Sequence, residues 1–129
     1  MTAKTVALLI GLVFLAVGLL GFIDNPIVGD SENVIFHADK VHNLVHITSG
    51  ALFILVALAS PSSARGFLIL FGLVYLVIGI IGFMAIGGEG MTRILGFLHV
   101  NGADNYLHIG LGLVILVLGL LTRRVVSFP

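Results

Sequence analysis

The chain has 129 residues, 59% of them hydrophobic and 9% charged, far from the roughly half apolar, one-quarter charged balance of soluble domains. So little polar surface cannot cover a water-soluble globule, and lipid is the expected solvent. A formal net charge of zero gives no footprint for nucleic acid, and the absence of cysteine excludes disulfides, thiolate catalysis and cysteine-ligated zinc or iron–sulfur clusters.

Four apolar stretches follow in order, at about Val6 to Ile23, Asn43 to Ala59, Gly66 to Ile86 and Asn105 to Leu121. Each approaches the roughly 20 residues that cross a hydrocarbon core about 30 Å thick. The first follows Lys4 and has the look of a signal peptide. Its apolar run is longer than the roughly 7–15 residues of a signal h-region, and it recurs later in the chain, so a retained membrane helix is expected. Asp24-Asn25-Pro26 stops it, because proline cannot continue the backbone ladder. In the outward loop that follows, Val34-Ile35-Phe36-His37 is a short candidate surface turn. Helix two opens at Asp39-Lys40-Val41-His42-Asn43 and ends at Ser60-Pro61-Ser62-Ser63, a turn short enough to make helices two and three antiparallel neighbours. In the second outward loop Met91, Ile94, Leu95 and Leu98 fall at i, i+3, i+4 and i+7. That spacing predicts a short interfacial helix before helix four. Helix four opens at Asn101-Gly102-Ala103-Asp104-Asn105. No lysine lies within an apolar stretch, which leaves no place for a buried Schiff base.

The chain is one hairpin written twice. Leu9-Ile10-Gly11-Leu12-Val13-Phe14 returns as Leu70-Phe71-Gly72-Leu73-Val74-Tyr75, and Gly18 and Gly21 return as Gly79 and Gly82. His37, Asn43, His46 and Gly50 return as His99, Asn105, His108 and Gly112. Repeat one covers 5–60 and repeat two 66–122 of a single transmembrane domain spanning 1–129. Two crossings per copy orient both copies alike, about an approximate two-fold axis along the membrane normal. The glycines form a small-residue face that lets helix backbones approach within the chain or between chains. The expected fold is therefore an all-α membrane protein, with four transmembrane helices arranged as two tandem parallel-repeat hairpins.

Residues three and four apart share a helix face. His42, Asn43 and His46 therefore project together on helix two, as do Asp104, Asn105 and His108 on helix four. His46 and His108 sit roughly one turn inside the outer helix ends at about 1.5 Å per residue, and exposure to lipid at that depth is costly. Three readings are open. The cluster is an inter-helix hydrogen-bond clamp in a structural or partner-binding scaffold. Or it is a ligand site: His42, His46, His108 and Asp104 suit a transition metal, with Asn43 and Asn105 as supporting partners, and His46 with His108 alone suit the two axial positions of a haem. Or it is a proton or ion relay, which needs polar groups continuing across the bilayer. Below His46 only Thr48 and Ser49 are polar, and helix four from Gly110 onward offers nothing ionisable before Thr122. No hydrolytic constellation or phosphate-cradling loop is present, so a non-enzymatic protein is expected. Tyr75 stands where the first copy has Phe14, and its hydroxyl needs a partner if buried.

Lys4, Arg65, Arg123 and Arg124 fall on one side of four crossings, and Lys40 and Arg93 on the other. The positive-inside bias places both termini in the cytoplasm. Asn43-Leu44-Val45-His46 followed by Gly50, and Val100-Asn101-Gly102-Ala103-Asp104-Asn105-Tyr106-Leu107-His108 followed by Gly112, resemble a family of small bacterial four-helix membrane proteins catalogued as a domain of unknown function. The resemblance spans nearly the whole chain. It implies a multi-pass protein of the bacterial cytoplasmic membrane and no reaction or ligand, while the apolar faces are expected to meet the lipid bilayer and the glycine faces leave open a homo-oligomeric or membrane-protein partner.

Overall fold

Helix boundaries fall where the backbone finds caps. The computed structural model describes residues 1–122, so Arg123 and Arg124, used above for orientation, lie outside the described residues. Helix α1 (Ala3–Leu20) starts at Thr2, whose hydroxyl accepts from Thr5 N–H at 3.3 Å. Helix α2 (Lys40–Ala59) starts at Asp39, whose carboxylate accepts from His42 N–H at 3.0 Å. A 3₁₀ turn at Pro61–Ser63 leads into α3 (Ala64–Ile86), and α4 (Gly102–Leu121) opens on a reciprocal box between Asn101 and Asp104. The four helices have 18, 20, 23 and 20 residues, about 27–35 Å at 1.5 Å per residue, and all are long and apolar enough to cross a membrane. Their outer faces carry exposed Leu12, Val13, Leu55, Leu58, Leu70 and Leu113, the surface of a protein solvated by hydrocarbon.

Helix α1 ends a few residues short of its apolar run. Phe22 and Ile23 turn back onto the Leu19 and Leu20 carbonyls. The Asn25 amide then faces the carbonyls of Leu20, Ile23 and Val28, while its Oδ1 accepts from Ile27 and Val28 N–H. One side chain thus closes the helix end and starts the loop.

Two hairpins, α1–α2 and α3–α4, hold most of the helix packing. The glycine faces turn inward within each hairpin. A Cβ added at Gly50 would stand 2.6 Å from the Gly11 carbonyl oxygen, and one at Gly112 would stand 2.8 Å from that of Gly72. The two copies therefore use the same contact, backbone against backbone, as small residues permit. Between hairpins the seam is aromatic: Phe14 and its counterpart Tyr75 meet with ring centroids 4.9 Å apart. Phe53 packs on Phe67 and Phe71 below them.

The expected interfacial helix at 91–98 is absent. The first outward loop holds strands β1 (Val28–Gly29) and β2 (Phe36–His37), and in the second β3 (Met91–Ile94) and β4 (Leu98–Asn101) form an antiparallel hairpin. Leu98 and Val100 are buried and alternate with half-buried His99 and Asn101, so period two won over the helical spacing of Met91, Ile94, Leu95 and Leu98. Ile94, Leu98 and Val100 pack against Val45, Ile78 and Ile81. Leu95 (φ 54°) and Gly96 (φ 79°) supply the two positive φ values of the turn, which end any helix there. Likewise Val34-Ile35-Phe36-His37 is no helical turn, since β2 pairs in parallel with β1, Val28 opposite Phe36.

Candidate metal centre

Three histidines from both repeats converge at the end of the bundle where α2 and α4 begin, opposite the N-terminus of α1. His42, His46 and His108 are 1%, 6% and 2% exposed, and one ring nitrogen from each lies within 4.8 Å of the other two. Ring centroids are 4.6 Å apart for His42–His46, 5.5 Å for His42–His108 and 6.3 Å for His46–His108. The i, i+4 spacing on α2 places His42 above His46, and the repeat places His108 opposite His46. Each of the last two rests on an aromatic floor, His46 on Phe14 at 5.7 Å and His108 on Tyr75 at 5.9 Å.

The hydrogen bonding defines what the rings offer. His42 Nδ1 donates to the His99 carbonyl at 2.8 Å, a carbonyl being an acceptor only, which makes Nε2 the lone-pair nitrogen. That Nε2 is buried with no partner, as are His46 Nδ1 and His108 Nδ1. Three unpartnered lone-pair or N–H positions in one buried cluster are unusual, because buried polar groups are normally paired.

The asparagines do not orient these rings. Asn43 lies against Gly21 and Asn105 against Gly82, where any Cβ would collide with the amides, and Asn105 Nδ2 donates to the Gly87 carbonyl at 3.0 Å. Asn105 thus ties α4 to the end of α3, and Asn43 packs against the end of α1 at Gly21. No His–Asn hydrogen bond occurs among the described residues, whereas the bond from His42 Nδ1 to the His99 carbonyl is an inter-repeat link of the kind the clamp reading expects of a histidine. Asp104, aligned with His42 by the repeat, is buried but stays outside the three-histidine group. Its Oδ2 accepts from Asn101 N–H at 2.8 Å as the helix cap.

Above the cluster the second equivalent pair, His37 and His99, meets at 5.7 Å. Arg93 Nε donates to His99 Nε2 at 3.0 Å, and Asn101 Nδ2 donates to the Ile35 carbonyl of the other repeat at 3.0 Å. Burial, with the neighbouring His99 imidazole adding to it, holds the His37 pKa below its usual 6.5, which favours a neutral ring at the mouth. Below the cluster one polar link continues, Ser49 Oγ to Tyr75 OH at 2.9 Å, and then Phe53, Phe67 and Phe71 close the path. Ser49 is the partner that a buried Tyr75 needed. The clasp of His42 on the His99 backbone had no sequence signal, because it joins residues far apart in the chain.

The fold and this mouth define a four-helix membrane bundle with an internal repeat and a buried histidine cluster on its axis. The model of the family described as Domain of unknown function (DUF4383) matches residues 4–121, so the chain belongs to that family. No curated protein and no solved structure matches it.

Proposed function

We propose that this protein binds one transition-metal ion between His42, His46 and His108, at the outward end of a bundle in the bacterial cytoplasmic membrane. The observation that carries the reading is the convergence of three buried imidazoles, each with a ring nitrogen lacking a partner. Neutral imidazole is a ligand of zinc, copper, iron and nickel, and three histidines with an open fourth position form a known catalytic-type donor set. Nitrogens around a tetrahedral zinc at about 2.0–2.1 Å stand about 3.4 Å apart, so the rings close inward around an ion. A haem between His46 and His108 fits less well, since the His42 ring occupies the space beside both. The adjoining cavities, about 100 and 190 Å³, are each smaller than the roughly 300 Å³ where cofactor pockets begin.

The test is elemental analysis of protein purified in mild detergent, without chelators or a metal-charged column. Near-stoichiometric zinc, copper, iron or nickel is expected in the native chain. His42→Asp, which writes the second repeat's residue into the first, should weaken retention by more than the roughly 10–100-fold that loss of a ligand's supporting partner costs. Metal-free preparations that also take up none of these ions on titration would overturn the reading and leave the histidines as packing. Orientation is part of the proposal, with both termini cytoplasmic on the positions of Lys4, Arg65, Arg123 and Arg124. A reporter fused after Pro129 should score as cytoplasmic, and a periplasmic signal would invert the topology.

A further inference from the structure

The β3–β4 hairpin folds down beside the helices. Its buried residues Ile94, Leu98 and Val100 pack on Ile78 and Ile81 of α3 and on Val45 of α2. Ile78 and Ile81 precede the end of α3 at Ile86 by eight and five residues, about 12 and 8 Å at 1.5 Å per residue. Val45 lies five residues past the first residue of α2, about 8 Å along that helix. The tip of the hairpin therefore lies level with the second and third turns of the spans. Interfacial elements seat themselves at that depth, about 5–10 Å into the boundary between headgroups and acyl chains. What the tip presents to its surroundings agrees. Leu95 and Phe97 are 55% and 50% exposed, a poor surface for water and a suitable one for hydrocarbon.

Two further features select an occupant. Under Leu95 a groove of about 360 Å³ runs along α3 past Ile81, Ile78, Val77, Val74 and Leu73, and every residue lining it is aliphatic. From Ile81 to Leu73 it extends about 12 Å down the helix, the shape of a single alkyl chain. At its upper end Arg93 stands two residues before Leu95, about 7 Å along an extended strand. Arg93 is exposed and spends only its Nε, on His99 Nε2, so four of its five N–H donors remain. A guanidinium presents such donors as a fork that fits phosphate, and its long stem can rise to the headgroup layer. We propose that the hairpin docks a phospholipid of the adjoining leaflet, with an acyl chain in the groove between Leu95 and α3 and the phosphate on Arg93. The inference stands whether or not the three histidines hold an ion.

The chain has no tryptophan, so Phe97→Trp and Leu95→Trp each carry a single fluorescent probe. In vesicles of phosphatidylcholine brominated near the headgroup end of its acyl chains, both probes should be strongly quenched, and aqueous iodide should barely reach them. Ser31→Trp, on the exposed first loop, should behave in the opposite way. The phosphate is tested in a maltoside detergent, which carries none. There brominated phosphatidic acid should quench Phe97→Trp at about tenfold lower mole fraction than brominated diacylglycerol, as a hydrogen bond to a charged group implies. Adding Arg93→Gln should erase that difference while circular dichroism shows the same helix content. Equal titration by the two lipids would overturn the proposal without any Arg93 variant. Iodide quenching of both tip probes would place the hairpin in water and overturn it as well. Probes reached by neither bromine nor iodide would mean that a protein surface covers the groove, which also defeats the lipid assignment.

Discussion

In repeat one the third residue of the even helix is His42; in repeat two it is Asp104. Both follow a capping residue, Asp39 or Asn101, that holds their backbone N–H. Asp104 reaches back to close the capping box on its own helix. His42 reaches across to the His99 carbonyl of the other repeat and stands grouped with His46 and His108. The position is the same and the tasks are different: one stabilises a helix end, the other joins the repeats and completes a three-imidazole group. Positions that pack, such as Gly11 and Gly72 or Gly50 and Gly112, are unchanged between copies. Two of the differences, His42 against Asp104 and Phe14 against Tyr75, fall where side chains approach the two-fold axis, which is where a duplicated hairpin gains an asymmetric site.

The strongest way to break this comparison is at the shared packing. Gly50→Ala and Gly112→Ala each push a methyl group into backbone, that of Gly11 and Leu15 in one hairpin and of Gly72 and Leu76 in the other. Each should destabilise the bundle by about 1–3 kcal/mol, the usual cost of overpacking, read as the midpoint of unfolding in sodium dodecyl sulfate. Gly110→Ala, with nothing within 4 Å of its added Cβ, should instead be neutral or gain roughly 0.5–1 kcal/mol of helix propensity. If Gly112→Ala behaved like Gly110→Ala, the close hairpin contact would be wrong. A large cost in one hairpin alone would mean that the copies do not pack alike.

Much of this architecture was legible in the chain. Four apolar runs of spanning length, proline punctuation and the repeat gave the helices and their pairing, because in lipid the backbone must satisfy itself within each segment. The repeat also brought His46 opposite His108. What stayed hidden depends on contacts between distant residues or on competing periodicities. The side-chain spacing at Met91–Leu98 fits a helix as well as it fits coincidence, and only the turn at Leu95 and Gly96 together with the pocket beneath Leu98 and Val100 decides for strands. Asp104 reads as a ligand by alignment with His42, yet at the third helical position after an asparagine a carboxylate is also a cap, and the cap is what forms. Asn43 and Asn105, three residues before each histidine, look like ring partners on a helical wheel. The approach of Gly21 and Gly82 turns them to the neighbouring helix instead.

A finer test of the asymmetry lies one layer deeper, at Phe14 and Tyr75. The two rings meet on the axis, but only Tyr75 carries a hydroxyl, paired with Ser49. The residue that repeat two offers in the place of Ser49 is Leu111, by the same register that aligns His46 with His108. Tyr75→Phe makes the layer symmetric and removes one buried hydrogen bond, for a net loss of about 0.5–1.5 kcal/mol, with Ser49 able to turn its hydroxyl to its own helix backbone. Phe14→Tyr makes the layer symmetric in the other sense and places a second hydroxyl beside Leu111 with no partner. Leaving it unsatisfied costs about 1–3 kcal/mol, so the reciprocal change should be the more damaging of the two. Adding Leu111→Ser to Phe14→Tyr supplies the missing partner and should recover part of that loss, measured as a double-mutant cycle in the same unfolding assay. Recovery would establish that the two copies are equivalent scaffolds distinguished only by what faces the axis. No coupling between positions 14 and 111 would show that the hairpins have drifted apart in register at this depth, and that the symmetry seen at the histidines is local to the mouth.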